Sequence, residues 1–394
     1  MPYLPSAFQR LLEPVDRHVF ASIVERHDGN RGVGTGPGAW TCQRHLKALV
    51  FAQIAGLKSL REIEQALAAR PEALYHLGLR LPKRSTLSDA SAARPVAVFA
   101  DLARYLMGLA ARKLRAQGKQ LIELIDTSPI PLRDLRFAWA EAGSRVRGLN
   151  MYVHYDPSHR CPVHFDLTSP KTADVALVRD RPLEPNVICV FDKAFTDYSW
   201  WQDICDAGAI FVTRLKRNAK RREVTPSSRD LKTPVVADNT VKIGNKKPRG
   251  GAENPLYDTT LREIVVDRGD HKTPLHLITN DLKSPPEAIA RLYRLRWQIE
   301  LFFKWIKQNL RVKAFFGRSE NAVKTQLYAA IIAMILLKLF RQTYAKAYKA
   351  ATKLLMARLK VALLSPFDLR PPAKPPPGNP KNRPPDPQMS LKLI

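Results

Sequence analysis

Cysteine is scarce in this chain of 394 residues, and none of its four cysteines belongs to a CxxC pair. The nine histidines do not cluster with them. Because structural zinc sites and disulfide frameworks need closely spaced cysteines, the sequence argues against both and favours a reducing compartment. Residues 1–12 also lack the basic stretch and apolar run of a secretory signal peptide.

Apolar runs long enough to span a bilayer are missing too. The longest run, 327–337, is too short for that and is closed by Lys338, so it is expected to be a buried helix. The hydrophobic content of 45% suits a globular protein, and the length allows two or three domains. Together these features predict a cytoplasmic protein without a membrane partner.

Acidic residues are few compared with basic ones. There are 36 of the former and 64 of the latter, which gives a formal net charge of +28. An excess of this size predicts a polyanionic partner, and nucleic acid is the simplest choice. A ribosomal or merely basic protein is the alternative, and only a chemical site can exclude it.

Residues 1–112 have the apolar spacing of a helical domain. A helix is expected at 42–55, and Gly56 ends it. Ser59 then caps the next helix, with Glu62 at the capping-box position.

A basic segment containing Lys83 and Arg84 follows, and Ser85 or Ser88 would cap a short helix there. Helix, tight turn and basic-flanked helix are compatible with a helix-turn-helix that reads DNA. An ordinary helical bundle is the alternative.

Two buried strands are predicted in the next part of the chain, each ending at a carboxylate. Residues 121–126 end at Asp126, and residues 187–191 are followed by Asp192. A β-hairpin lies between them, and two helices and a strand complete the pattern of a mixed sheet flanked by helices. These further elements are expected at 149–167 for the hairpin, at 172–178 and 197–206 for the helices, and at 209–213 for the strand.

Residues 214–283 interrupt this pattern and are predicted to form a small β insertion. A basic cluster that includes Arg214, Lys216 and Arg217 opens it, and a second basic, loop-like stretch lies at 242–251. Antiparallel strands are expected later in the insertion, at 259–266 and 275–279. The basic residues would follow a DNA backbone, and a solvated basic face is the alternative.

One long helix is expected at 286–312, with a stripe of functional side chains. Tyr293, Arg296, Glu300 and Lys307 recur at helical spacing, and Lys304 joins them. The stripe holds one carboxylate among cations and a phenol beside an apolar face. A solvated helix with ordinary ion pairs is the alternative.

Asp126 and Asp192 would lie side by side if their strands are neighbours, and Glu300 would complete a set of three carboxylates. Mg²⁺ prefers oxygen ligands, and two such ions can assist an in-line phosphoryl displacement without cysteine or histidine. Taken singly, an aspartate after a strand is more often a turn or helix cap. Together with the charge of the chain, the set predicts phosphodiester chemistry.

The spacing Tyr293-x2-Arg296-x3-Glu300-x6-Lys307 resembles the Tyr-Arg-Glu-Lys signature of bacterial DDE transposases of the insertion-sequence-four type. Asp126 in LIDTSPI and Asp192 in VFDKAFTDY are similar to the catalytic aspartates of that family. N-terminal stretches such as FAQIAGLKSLREI resemble the helical domain of one branch of the family. The resemblance covers about residues 5–345.

This resemblance implies an α/β fold: a ribonuclease-H-like mixed sheet flanked by helices, with a β insertion before the catalytic glutamate and an N-terminal helical domain. The expected parts are a DNA-end-binding domain, the first part of the core, the basic insertion, the second part of the core and a Pro-rich disordered tail. Their boundaries are 1–112, 113–213, 214–283, 284–368 and 369–394.

The resemblance also implies cut-and-paste transposition, with two Mg²⁺ ions or Mn²⁺ in their place. The enzyme would cut at terminal inverted repeats and join the 3′-hydroxyl to target DNA as a homodimer in the bacterial nucleoid. Trp297 is expected to be a core residue, with stacking on an unpaired base as the alternative. A ribonuclease-H-like nuclease without strand transfer and an inactive DNA-binding derivative are the rival functions. The expected DNA contacts are Tyr293, Arg296, Lys304, Lys307, Trp297, Lys83, Arg84, Arg214, Lys216 and Arg217.

Overall fold

The computed structural model describes residues 5–365 except 116–120, 133–135, 143–146, 180, 228–230, 249–250, 270–272, 310–314, 345–358 and 360–362. Its first part is helical, as predicted. The helices there are α1 (Ala7–Leu12), α2 (Arg17–Arg26), α3 (Cys42–Ala55), α4 (Leu60–Ala68), α5 (Pro71–His76), α6 (Arg84–Ala93) and α7 (Val96–Arg115).

Local signals explain where several of these helices begin and end. Gly56 follows α3 with a left-handed φ of 77°, which glycine adopts without strain. The Ser59 hydroxyl accepts a hydrogen bond from the Glu62 backbone N–H at 3.2 Å, which confirms the predicted cap of α4. The cap predicted at Ser85 or Ser88 is wrong. The α6 helix begins at Arg84, one residue before the first of these serines, and no side chain caps it.

The described part of the chain contains one ten-stranded mixed sheet. Its strands are β1 (Ile122–Pro131), β2 (Glu141–Ala142), β3 (Arg147–Asp156), β4 (Cys161–Thr168), β5 (Ile188–Phe191), β6 (Ile210–Arg214), β7 (Arg221–Pro226), β8 (Val235–Ile243), β9 (Leu261–Val266) and β10 (Leu275–Thr279). They lie in the order β2-β3-β1-β5-β6-β10-β9-β8-β7, and β4 pairs with β3 in the predicted hairpin. Strands β1, β5 and β6 are parallel, and the other pairs are antiparallel.

The β insertion extends the core sheet instead of forming a sheet of its own. Strand β10 pairs with β6 of the core, and β9, β8 and β7 follow outward. The predicted strands β9 and β10 are confirmed. The sequence does not predict β7 and β8 individually: β7 overlaps the predicted basic cluster, and β8 ends where the predicted loop-like stretch begins. The insertion is therefore joined to the strands that carry Asp126 and Asp192 through an unbroken hydrogen-bonded ladder.

The later helices are α8 (Asp174–Arg179), α9 (Tyr198–Asp206), α10 (Pro286–Leu295), α11 (Trp297–Asn309) and α12 (Glu320–Tyr344). The single helix predicted at 286–312 is wrong in one respect, since it is interrupted at Arg296. The Arg296 N–H bonds to the Tyr293 carbonyl three residues back, and the Ile299 N–H bonds to the Arg296 carbonyl. This tighter turn divides the predicted helix into α10 and α11.

Two apolar cores cover the faces of the sheet. On one face, α10, α11 and α12 pack with the N-terminal helices against residues such as Leu124 and Val190. On the other face, α9 packs the buried pair Trp200 and Trp201 against Phe191. Asp126 and Asp192 follow Leu124 and Val190 by two residues, so they lie on the face of the sheet that α11 covers. This arrangement brings Glu300, on α11, towards the two aspartates.

The α12 helix confirms the buried helix predicted around 327–337. Residues Glu320–Thr343 are long and apolar enough to cross a membrane, but 89% of their most apolar window is buried inside the protein, as in the core helix of a soluble protein. The helix contacts β4 and lies mainly against α7, α3 and α6. The tail predicted at 369–394 lies outside the described residues.

Candidate active site

The two aspartates lie side by side on adjacent parallel strands. Parallel pairing of β1 with β5 ends at Ile125 opposite Phe191, so Asp126 and Asp192 are the next residues on the two strands. The prediction that these strands are neighbours is confirmed. The prediction that β1 ends at Asp126 is wrong. The strand continues to Pro131, because β3 pairs with it beyond the end of β5.

Negative charge is crowded around Asp126. Burial raises the pKa of this carboxyl to about 6, and the charges of Asp192 and Glu300 act in the same direction. The Thr127 backbone N–H, which donates to Asp126 at 2.8 Å, and the Arg296 guanidinium oppose this rise in the pKa. In such surroundings, a nearby cation stabilises the ionised form of the carboxyl.

Arg296 stands between Asp126 and Glu300. One guanidinium nitrogen lies 3.6 Å from an Asp126 oxygen, and another donates to a Glu300 oxygen at 2.5 Å. The third nitrogen, Nε, is buried and has no hydrogen-bond partner among the described residues. Within that part of the chain, no group of three His, Cys, Asp or Glu side chains is placed to hold a metal. A shared metal site of all three carboxylates therefore stays a prediction.

Asp192 has its own phenol and cation. The Tyr293 hydroxyl donates to it at 3.2 Å, and Arg214 Nε lies 3.8 Å from the same carboxylate oxygen. Burial raises the pKa of Tyr293 to about 12, and the Asp192 charge adds to the effect. Tyr293 therefore stays a hydrogen-bond donor at neutral pH. Arg214, predicted as part of a basic insertion, belongs by position to the carboxylate site.

Lys307 reaches the same face of β1 at a second point. Its ammonium donates to the Ser128 hydroxyl at 2.7 Å. Ser128 was not among the residues predicted from the sequence. Strand alternation would have indicated it, because residues two apart on a strand share a face, and Ser128 lies two residues after Asp126.

Trp297 is 59% exposed, so the prediction that it is a core residue is wrong. Ile299 and Phe302 turn the apolar face of α11 inward, whereas Trp297 and Leu301, four residues apart, lie on the outer face. Lys304 is exposed on the same helix. Trp297 also borders an open cavity of about 630 Å³ between the insertion and α10.

The other basic residues predicted to bind DNA lie on different elements. Lys216 and Arg217 are exposed directly after β6. Lys83 and Arg84 are exposed where α6 begins. Their contact with DNA stays a prediction.

Comparison with known proteins decides what this site belongs to. The family model described as Transposase DDE domain matches residues 117–336, a range that contains all three carboxylates. The chain belongs to the DDE transposase family. It is a DNA transposase with a ribonuclease-H-like fold, and enzymes with this domain use divalent metal ions.

Relatives of this transposase carry the same kind of name. A protein of Sinorhizobium fredii named as transposase y4zB is 41% identical over 263 residues, which cover 66% of this chain and 71% of that protein. A protein of Geobacillus stearothermophilus named as the transposase of insertion sequence element IS5377 is 26% identical over 349 residues. These residues cover 86% of this chain and 85% of that protein. The family is consistent with the insertion-sequence-four type.

Two further similarities concern other parts of the chain or the fold. A family model described as a domain of unknown function, DUF4372, matches residues 5–80. A solved piggyBac transposase synaptic complex with hairpin DNA has a TM-score of 0.46 and 12% identity, covering 91% of this chain and 80% of that chain.

Proposed function

We propose that this transposase cuts phosphodiester bonds at the ends of a DNA element and joins the freed 3′-hydroxyl to target DNA, with Asp126, Asp192 and Glu300 as its catalytic residues. The observation that supports this most is the pairing of Asp126 and Asp192 at the end of the parallel β1–β5 ladder. Water would be the first nucleophile, and the 3′-hydroxyl the second.

The donor set suits two Mg²⁺ ions, which Mn²⁺ can replace. It consists only of carboxylate oxygens, and burial raises the pKa of Asp126, with the charges of Asp192 and Glu300 adding to the rise. Bound ions would stabilise charge on the attacking and leaving oxygens. Asp126 and Asp192 would hold the ions between them. Glu300 would complete the set after its ion pair with Arg296 breaks.

The signature cations would bind phosphates of the DNA end. Arg296 has a buried Nε donor without a hydrogen-bond partner among the described residues, and a phosphate oxygen is a suitable acceptor for it. Tyr293 and Lys307 would add contacts on either side, and Arg214 would supply positive charge beside Asp192. Lys304 would reach the DNA backbone from the exposed face of α11.

Trp297 would stack on an unpaired base near the cleaved position. Its exposed ring follows Arg296 directly and borders the open cavity beside α10. Base stacking on an aromatic side chain is worth roughly 1–3 kcal/mol.

We expect Trp297→Ala to weaken binding of an end duplex by about 1–3 kcal/mol. Here "end duplex" means a fluorescein-labelled duplex with the inverted repeat that flanks the gene, and affinity is measured by fluorescence anisotropy. The free energy of unfolding should change by less than about 0.5 kcal/mol, because the side chain is largely exposed. Trp297→Phe keeps a ring and should retain most of the affinity. Leu301→Ala, the exposed apolar neighbour, is the matched control. Equal losses in Trp297→Ala and Leu301→Ala would rule out stacking.

The remaining basic elements would hold the DNA away from the reaction. Lys83 and Arg84 at the start of α6 would contact the terminal repeat as part of the N-terminal domain, 1–112. Lys216 and Arg217 would contact the backbone from the insertion, 214–283. The core would be divided between 113–213 and 284–368, and 369–394 would be a tail.

Pairing two element ends would require a homodimer on DNA. The enzyme would act on double-stranded DNA in the cytoplasm, at the bacterial nucleoid. A net charge of +28 supports strong, salt-dependent attraction to such a polyanion.

A joining assay tests the proposal. The end duplex is supplied pre-cut, with a free 3′-hydroxyl, together with a supercoiled target plasmid and Mg²⁺. A transposase gives covalently joined products. Nicking of uncut ends without joining would indicate a ribonuclease-H-like nuclease, and neither activity at full binding would indicate an inactive DNA-binding derivative.

A further inference from the structure

Among the described residues, two polar contacts link β1 to α11 or to the residue just before it, and the second is the hydrogen bond between Ser128 and Lys307. In the first contact, an Arg296 guanidinium nitrogen lies 3.6 Å from an Asp126 oxygen, and the same guanidinium is paired with Glu300 on α11. In the second, the Lys307 ammonium donates to the Ser128 hydroxyl at 2.7 Å. Ser128 is only 8% exposed, so its hydroxyl lies in the packed layer between strand and helix.

The two contacts differ in charge. Arg296 is paired with two carboxylates, which offset its positive charge. The Ser128 hydroxyl is neutral, so this hydrogen bond orients the Lys307 ammonium without itself neutralising the ammonium charge. Lysine has a flexible four-carbon stem, and a fixed acceptor limits the positions that its ammonium occupies.

The geometry places this oriented cation next to the carboxylates. Ser128 lies two residues beyond Asp126 on the same face, or roughly 7 Å along the strand. Lys307 lies seven residues beyond Glu300, or roughly 10 Å along the helix. The ammonium is thus held beside the acidic group but outside it, where a neighbouring phosphate of a bound strand would pass.

We propose that Ser128 is a positioning residue, which holds the Lys307 ammonium in place for a phosphate of the DNA end. The inference rests on the proposed phosphate contact of Lys307. It adds that a neutral strand residue, outside the Tyr-Arg-Glu-Lys signature, determines how well that contact is made.

The salt dependence of binding separates this role from a merely structural one. Log affinity falls as log salt concentration rises, and each phosphate contact by a cation makes this negative slope steeper by about 0.9. Ser128 is uncharged, so its replacement changes that slope only if a cation elsewhere loses its phosphate.

The test compares Ser128→Ala, Ser128→Cys, Ser128→Thr and Lys307→Ala with the unaltered full chain, using the end duplex over a series of salt concentrations. Ser128→Cys fills nearly the same volume but is a weak hydrogen-bond partner, so it covers the case in which alanine disturbs packing. Thermal unfolding of every variant checks that the fold is kept.

We expect Lys307→Ala to lower the steepness of the slope by about 0.9, which makes binding less dependent on salt. Ser128→Ala and Ser128→Cys should lower it towards the same value and weaken binding about three- to tenfold, as loss of one hydrogen bond does. Ser128→Thr keeps the hydroxyl and should restore the slope. In a Lys307→Ala background, Ser128→Ala should have no further effect on affinity.

An unchanged slope in folded Ser128→Ala and Ser128→Cys, alongside a lowered slope in Lys307→Ala, would overturn the positioning role alone. An unchanged slope in Lys307→Ala would overturn the phosphate contact itself, and with it the part of the proposed function on which the inference rests.

Discussion

Replacing Asp192 by asparagine should abolish nicking of the end duplex while leaving its binding nearly intact. The substitution keeps the size of the side chain and removes its charge, so Tyr293 keeps a hydrogen-bond acceptor at this position. The loss should reach at least about a thousandfold, since losing even an outer partner of a metal ligand costs roughly 10- to 100-fold. Single-turnover nicking in Mg²⁺ measures the rate, and anisotropy measures the binding.

Asp203→Asn is the matched control for this substitution. Asp203 is exposed on α9, so the same chemical change there should leave the nicking rate unaltered. Asp126→Asn, on the neighbouring strand, should behave like Asp192→Asn. Nicking by Asp192→Asn at a rate within tenfold of the unaltered enzyme would remove Asp192 from the catalytic set.

Replacing Arg262 by alanine should lower the free energy of unfolding by about 3–5 kcal/mol, as removing one partner of a buried ion pair does. Arg262 donates to both oxygens of Asp238, at 2.7 and 2.8 Å, and both side chains are buried. It also donates to the backbone carbonyls of Asp281 and Ser284, at 3.3 and 2.6 Å. These carbonyls lie within five residues of the start of α10, so the pair links the insertion to the helix that leads to Arg296 and Glu300.

Denaturant unfolding of three variants isolates this effect. Arg268→Ala, at an exposed site after the same strand, should change the free energy of unfolding by less than about 0.5 kcal/mol. Replacing both buried partners, as Arg262→Met with Asp238→Leu, should cost less than Arg262→Ala, because no unpaired charge is left buried. A change below about 1 kcal/mol in Arg262→Ala would show that this pair does not anchor α10.

The sequence was most informative where local rules act alone. Apolar runs indicated β1 and β5, and their neighbouring positions followed from ordinary α/β topology, which brought Asp126 next to Asp192. Helical spacing placed Tyr293, Arg296 and Glu300 on one face, and each of them contacts or adjoins the aspartates. The site thus depends on short-range patterns that a sequence displays directly.

Tertiary context determined the features that the sequence did not predict. Periodicity could not show that Arg296 would interrupt the helix, since the tighter turn forms where its guanidinium lies between two carboxylates. Hydrophobicity suggested a core position for Trp297, whereas the inward direction of Ile299 leaves that ring exposed. The pairing of β10 with β6 joins segments far apart in the chain, so no local pattern indicates that the insertion continues the core sheet.

A crystal structure of the transposase with the end duplex and Mn²⁺, with the ions located by anomalous scattering, tests the assignment of the three carboxylates most directly. We expect anomalous density in contact with Asp126 and Asp192, with Glu300 released from Arg296 and contacting the same site. Mn²⁺ bound elsewhere, with Arg296 still paired to Asp126 and Glu300 while DNA is present, would contradict the proposed active site.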